Sequence, residues 1–251
     1  MKSEPFARGG YCFIPAVFQY SAGVAAQPGY VIERVTLRAP LPLSQGFQRI
    51  AEVIRARGRP LAAFCACELR SPAPFTDVGF RGFNEGYVAR LAEWGIYEPG
   101  SDINPVARSN VCPELDPPSE PCLHAFSFTL PCETQGRTFV VAGSGEAREG
   151  SGEYRARTVR YGETDPEAMR AKASFVVAEM QRRLGALGLT WADTSATQVY
   201  TVHDMHPFFA DAIARRGAAH AGVTWHLCRP PVAGLEFEMD CRGIFTEHRL
   251  P

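Results

Sequence analysis

The residues able to do chemistry in this sequence are dominated by arginine and glutamate. Lys2 and Lys172 are the only lysines, so 24 of the 26 basic residues are arginine. Schiff-base chemistry has little to work with. Guanidinium groups suit two-pronged capture of carboxylates, with codon usage as the plain alternative. Arg108 sits among short and apolar neighbours, where it must meet an anion or reach solvent. It reads as a carboxylate clamp or as an inter-domain ion pair. Glu236 and Glu238 alternate with Leu235, Phe237 and Met239, so both carboxyls fall on one face of an apolar strand. A carboxyl partly withdrawn from water has the raised pKa that a general acid needs, and Glu236 is the candidate; a solvated strand face is the alternative. His124, on another apolar strand, reads as a proton shuttle or as a hydrogen-bonded core histidine, and His226 beside Cys228 reads the same way.

Other combinations exclude chemistry. His203-Asp204-Met205-His206 straddles a strand end and a helix start, which does not assemble a zinc ligand set, so no metal is expected. Gly143-Ser144-Gly145 is too short for a dinucleotide loop, and Ser144 has no His/Asp pattern nearby to make it a nucleophile. Its turn amides still suit an anion, which makes Ser144 and Gly145 binding candidates. Eight cysteines without a CxxC pair read as thiols in a reducing compartment, and Cys65 and Cys67 as small core residues on one strand face.

These residues need elements to position them. In the first half, strands are expected at 30–37, 61–69, 106–111 and 123–130, with helices at 44–57 and 84–94. In the second, a strand at 139–142 precedes a helix opened by Asp165-Pro166, with Thr164 and Glu167 spaced as a capping box. Ala173, Val176, Val177, Met180 and Leu184 fall on one face of that helix, and Gly185 and Gly188 close it. A strand at 196–202, a helix at 207–216 and strands at 223–228 and 235–241 follow. The same order of elements runs twice. The expectation is an α+β fold of two tandem units, 1–134 and 135–251, joined near 131–136.

Composition sets the outer bounds. A chain of 251 residues with 45% hydrophobic content buries one large core or two small ones. A net charge of −1 gives no global field for nucleic acid or anionic lipid. No apolar run approaches a membrane span, and the opening residues lack a secretory h-region. The expected protein is cytoplasmic, with no nucleic-acid or membrane partner.

Four segments resemble motifs of the YjgF/RidA family, in the family's order and over about residues 18–244. They are Tyr20-Ser21-Ala22-Gly23-Val24, Ala107-Arg108-Ser109, Ser144-Gly145-Glu146 and Leu235-Glu236-Phe237-Glu238. The resemblance implies RidA/chorismate-mutase-like units, each a mixed sheet packed by two helices, in a trimeric or pseudo-hexameric barrel-like homo-oligomer with clefts between neighbouring units. It implies hydrolytic deamination of an enamine or imine acid, a small unsaturated carboxylate, without a cofactor. Arg108, Ser109, Tyr20, Ser21, Ser144 and Gly145 would bind the substrate, and Glu236 and His124 would act in catalysis.

The chain also departs from that pattern. His124 stands where the first half should carry its glutamate, and Gly222 or Val223 where the second should carry its arginine. Two kinds of cleft are therefore expected, one lined by the Arg108 strand and one by the Glu236 strand. Cys228-Arg229-Pro230 followed by Leu235-Glu236 also resembles the closing strands of chorismatases. That gives a second reading, pyruvate release from an enol ether. A third is a non-catalytic ligand-binding protein.

Overall fold

Alternating and helical apolar patterns condense into two sheets in the computed structural model, which describes residues 2–133, 136–150 and 152–251. An N-terminal β-meander, β1 (Glu4–Phe6), β2 (Tyr11–Ile14) and β3 (Gly23–Ala26), leads into the long strand β4 (Tyr30–Pro42). Then come α1 (Leu43–Ala56), β5 (Phe64–Arg70), α2 (Asp77–Glu93), β6 (Ala107–Pro113) and β7 (Cys122–Pro131). The second half runs through β8 (Phe139–Gly145), the one-turn α3 (Tyr154–Arg157), α4 (Pro166–Ala186), β9 (Ala196–Tyr200) and the short α5 (His206–Phe208). It closes with β10 (Thr224–His226), β11 (Cys228–Arg229), β12 (Glu238–Gly243) and β13 (Glu247–Leu250).

The six-stranded sheet has the order β11-β6-β5-β7-β4-β13, and the seven-stranded sheet β1-β2-β3-β8-β12-β9-β10. Inside each lies the same four-strand pattern. β6-β5-β7-β4 and β10-β9-β12-β8 each hold one parallel pair, β5 with β6 and β9 with β10, and are otherwise antiparallel. The halves exchange edges. β3 pairs with β8, carrying the N-terminal strands into the second half's sheet, while β11 and β13 pair with β6 and β4 of the first. The expected join at 131–136 includes 134 and 135, which lie outside the described residues.

Each sheet buries its outer face under helices. Phe47, Ile50 and Ile54 of α1 and Tyr87, Val88 and Leu91 of α2 pack on Val35, Leu69 and Phe126. Ala173, Val176, Val177, Met180 and Leu184 of α4 pack on Phe139, Val141, Val199 and Met239, on the face their spacing predicts. The inner faces meet through Tyr11, Phe13, Val24, Cys65, Ala107 and Ala142. Among the described residues no helix is long and apolar enough to cross a membrane.

Several local expectations change. α2 begins well before 84, because the Thr76 hydroxyl accepts from Gly79 N and caps a turn that Gly79 and Gly82 disguise in the sequence. At α4 the cap is Asp165 rather than a Thr164–Glu167 box; its carboxylate accepts from Glu167 N and Ala168 N, both at 3.0 Å. The helix expected at 207–216 is broken into α5, a π-turn and a 3₁₀ turn, because the backbone leaves helical angles at Phe208 (φ −127°, ψ −4°). The strand expected at 223–228 divides between the two sheets as β10 and β11. Cys65 and Cys67 do not share a cluster: a bulge in β5 sends Cys65 between the sheets and Cys67 toward α2.

Candidate active site

Arg108 stands on β6 under α2, and its surroundings follow from that pairing. Tyr87, Phe83 and Phe80 of α2 and Tyr20 of the loop between β2 and β3 surround its guanidinium at 4.6, 5.6, 6.0 and 5.6 Å from their ring centroids. Nη2 donates to Asn84 Oδ1 at 2.6 Å, and the Asn84 amide is held in turn by the Phe80 carbonyl. Nη1 is buried and has no hydrogen-bond partner. The side chain as a whole is 3% exposed. Among the described residues no carboxylate forms an ion pair with this cation.

Glu238 opens β12 and is 4% exposed. Its Oε1 occupies the space over Gly143, where an added Cβ would lie 2.2 Å away. Glycine at 143 is therefore what lets β8 pass beneath the carboxyl. Burial pushes the Glu238 carboxyl well above the usual carboxylate range, and the acidic groups of Asp240 and Glu146 push the same way, against Arg183 and Arg108. Protonated Glu238 is thereby favoured.

The segment before β12 is pinned by a buried ion pair. Lys172 Nζ on α4 donates to Glu146 Oε1 at 3.1 Å and to the Val159 carbonyl at 3.0 Å, with both side chains fully buried. Glu146 accepts the backbone N–H groups of Glu236 and Phe237 at 2.7 and 3.1 Å. These N–H groups are thus taken by a side chain, and the β12 ladder starts only at Glu238.

Arg108 and Glu238, one from each half, line a single cavity of about 590 Å³. That volume falls in the range of roughly 300–1,000 Å³ common for small-molecule sites. Tyr20, Asn110, Ser144, Gly145, Arg157 and Arg183 also line it. Burial raises the Tyr20 phenol's pKa against the lowering influence of Arg183 and Arg108. A second cavity of about 590 Å³, beside Gln27 and Tyr30, holds among the described residues neither an unpaired buried cation nor a buried carboxyl, so size alone does not decide between the two. Among the described residues no group of three or more His, Cys, Asp or Glu side chains is arranged to hold a metal ion.

Residues 3–248 match the model of the family described as 2-aminomuconate deaminase CnbZ. The chain is also 50% identical over 244 residues to a 2-amino-5-chloromuconate deaminase of Comamonas testosteroni, covering 96% of each protein. The chain belongs to the CnbZ family. Solved structures similar to it include the YjgF gene product of E. coli, at 15% identity over 43% of this chain and 80% of that one, with a TM-score of 0.31. A YjgF/YER057c/UK114-family protein of Mycobacterium tuberculosis matches at 19% identity over 45% and 82%, with a TM-score of 0.26.

In this CnbZ-family chain the residues singled out from sequence separate. Arg108, Tyr20, Ser144 and Gly145 line the cavity together. Ser21 is turned away, its hydroxyl donating to the Pro105 carbonyl at 3.3 Å, and it serves to pin the Tyr20 loop to the start of β6. Ser109, one residue on, points off the Arg108 face, is buried, and is not among the residues lining the cavity. Glu236 is not among the lining residues; its carboxylate bonds His203 Nε2 at 2.9 Å and lies 3.8 Å from Arg229. The shared strand face expected for Glu236 and Glu238 fails because residue 236 precedes the strand. His124 sits on β7 away from the cavity, with its pKa lowered to about 4 by burial and by Arg70.

Sequence reasoning missed Glu238 as the lining carboxyl, although it named the residue. It also missed Asn110, whose signal was its position two residues after Arg108 on one strand. Gln19, Arg157 and Arg183 carried no local signal; the fold brings them in from elsewhere.

Proposed function

We propose that this protein is a deaminase acting on a small unsaturated amino acid of the 2-aminomuconate type, converting the enamine acid and water to a keto acid and ammonia. The observation that carries the reading is one cavity holding both a buried guanidinium N–H without an anion and a buried, protonation-prone carboxyl. Membership of the CnbZ family supports the substrate class.

In this mechanism Arg108 grips a substrate carboxylate, aided by its unpaired Nη1. Tyr20, Ser144 and Gly145 shape the wall around the reacting carbons. Glu238 donates its proton to the enamine carbon, and the carbon–nitrogen bond becomes an iminium. Water adds to the iminium carbon while the Glu238 carboxylate takes one of its protons. The carbinolamine then expels ammonia as the keto group forms. Glu238 takes the acid role assigned to Glu236 on sequence grounds. The reading also includes two tandem RidA-like units, 1–134 and 135–251, supported by the strand pattern repeated in both sheets, and a homotrimer, for which light scattering is the test.

A panel of 2-aminomuconate, 2-aminoacrylate and chorismate, followed by ultraviolet absorbance and ammonia release, tests the proposal. Turnover of 2-aminomuconate with stoichiometric ammonia is expected. Pyruvate release from chorismate without ammonia release from the enamines would overturn it.

A further inference from the structure

Buried polar atoms are almost always hydrogen-bonded, so clustered exceptions outline what is missing. Among the described residues, seven buried side-chain nitrogen or oxygen atoms have no partner, and four of the seven belong to residues lining the cavity. Three are donors, Arg108 Nη1, Asn110 Nδ2 and Arg157 Nε, and one is an acceptor, Gln19 Oε1.

Their places in the fold divide the donors. Arg108 and Asn110 stand two residues apart on β6, so both of their unmatched N–H groups belong to one face of the strand. The Asn110 orientation is set by Ser71, whose hydroxyl donates to Asn110 Oδ1 at 2.9 Å. Arg157 arrives from the other half of the chain on α3. Its guanidinium lies 4.3 Å over the Tyr154 ring, and its Nη1 donates to the Arg148 carbonyl at 2.5 Å. Tyr154 is docked in turn, its ring edge-on to Phe80 at 6.4 Å and its N–H donating to Asp77 Oδ2 at 3.2 Å. Arg157 is thus held against α2 with its Nε unmatched. Arg183 behaves differently: the carbonyls of Ala142 and Gly143 and the carboxylates of Glu179 and Glu149 occupy its donors. It is framework, whereas Arg157 keeps an unmatched Nε–H.

We propose that Arg157 is the residue that recognises the second carboxylate of a diacid substrate in this cavity, with the first carboxylate on Arg108 and Asn110 and the substrate's amino group donating to Gln19 Oε1. The inference rests on the deaminase reading for the amino group alone; the two-ended grip stands on the unmatched donors. A monoacid of the same length leaves Arg157 Nε buried without a partner, which is the kind of mismatch that gives strong discrimination.

Calorimetric titration with trans,trans-muconate and with sorbate tests this directly, since the two differ only in one terminal carboxylate. Wild-type protein is expected to bind muconate about 30-fold or more tightly than sorbate, each tenfold being about 1.4 kcal/mol. Arg157→Gln should bring muconate down to the sorbate level and leave sorbate unchanged. Arg108→Gln should weaken both. Arg157→Lys keeps the charge but not the Nε–H and should recover part of the preference. Equal binding of the two acids to wild type, binding of neither, or an equal loss of both in Arg157→Gln overturns the inference. The deaminase reading fails separately: a diacid preference without turnover of 2-aminomuconate sinks that reading and keeps this one, and turnover without a diacid preference does the reverse.

Discussion

Arg34 and Arg108 are both buried arginines of the first half, 5% and 3% exposed, and they do opposite things. Each of the three guanidinium nitrogens of Arg34 is paired inside the protein. Nε and Nη2 reach the two Glu68 oxygens at 2.6 and 2.9 Å, and Nη1 reaches Thr36 and Glu247 at 2.6 and 2.8 Å. This ties together β4, β5 and β13. Although burial opposes it, the Arg34 guanidinium holds the Glu68 carboxyl well below the usual range. Arg108 has Asn84 and a ring of aromatic faces instead, and the carboxyl that shares its cavity, Glu238, is pushed up rather than down. Burial is the same in both places. What separates framework from site is whether the protein itself supplies the counter-ion.

Removing one partner of a buried charged pair has the largest expected effect. Glu68→Gln leaves Arg34 buried with half its pairing gone and should cost about 3–5 kcal/mol in urea unfolding. Lys172→Met strands Glu146 in the same way and should cost about as much. Arg108→Gln should change stability by no more than about 1 kcal/mol, since no internal ion pair is lost, while weakening muconate binding about 30-fold or more. A large stability loss for Arg108→Gln with binding intact would put Arg108 in the same class as Arg34.

A smaller effect follows from pH. Glu238 has its pKa raised in the fold, so its contribution is fully present below the ordinary carboxylate pKa and is lost as pH rises through the folded value. Stability and turnover should both fall on that alkaline side, and Glu238→Gln should flatten the stability profile there, read as melting temperature against pH. The smallest effect lies on the acid side. Burial, with Arg70, lowers the pKa of His124 and of His226 to about 4, so the unfolded chain binds their protons first as pH falls from about 6.5. Melting temperature should drop across that window, and the drop should shrink in a His124→Asn, His226→Asn double variant.

Much of the architecture was legible because periodicity reports directly on one-sided burial. The apolar faces of α1 and α4 and the doubled element order follow from spacing alone. What was hidden depended on contacts distant in sequence. The division of 223–228 between two sheets, the capture of the N-terminal strands by β8 and the bulge that parts Cys65 from Cys67 have no local signature. At the site, Arg108 was legible as a cation among apolar neighbours. The choice between Glu236 and Glu238 was not, because it turns on Glu146 taking the N–H groups of residues 236 and 237 from 90 and 91 positions away. The two halves supply the arginine and the carboxyl to one cavity, a meeting that sequence distance conceals.

The central claim is that Glu238 is the proton donor beside an anion-gripping Arg108. It is tested most directly by measuring, in Glu238→Gln, the kcat for 2-aminomuconate together with the Kd for muconate. In that variant kcat should be lower by about 10²–10⁴-fold, the usual contribution of a general acid, with muconate affinity within about threefold of wild type. A kcat within about threefold of wild type in the folded variant would contradict it.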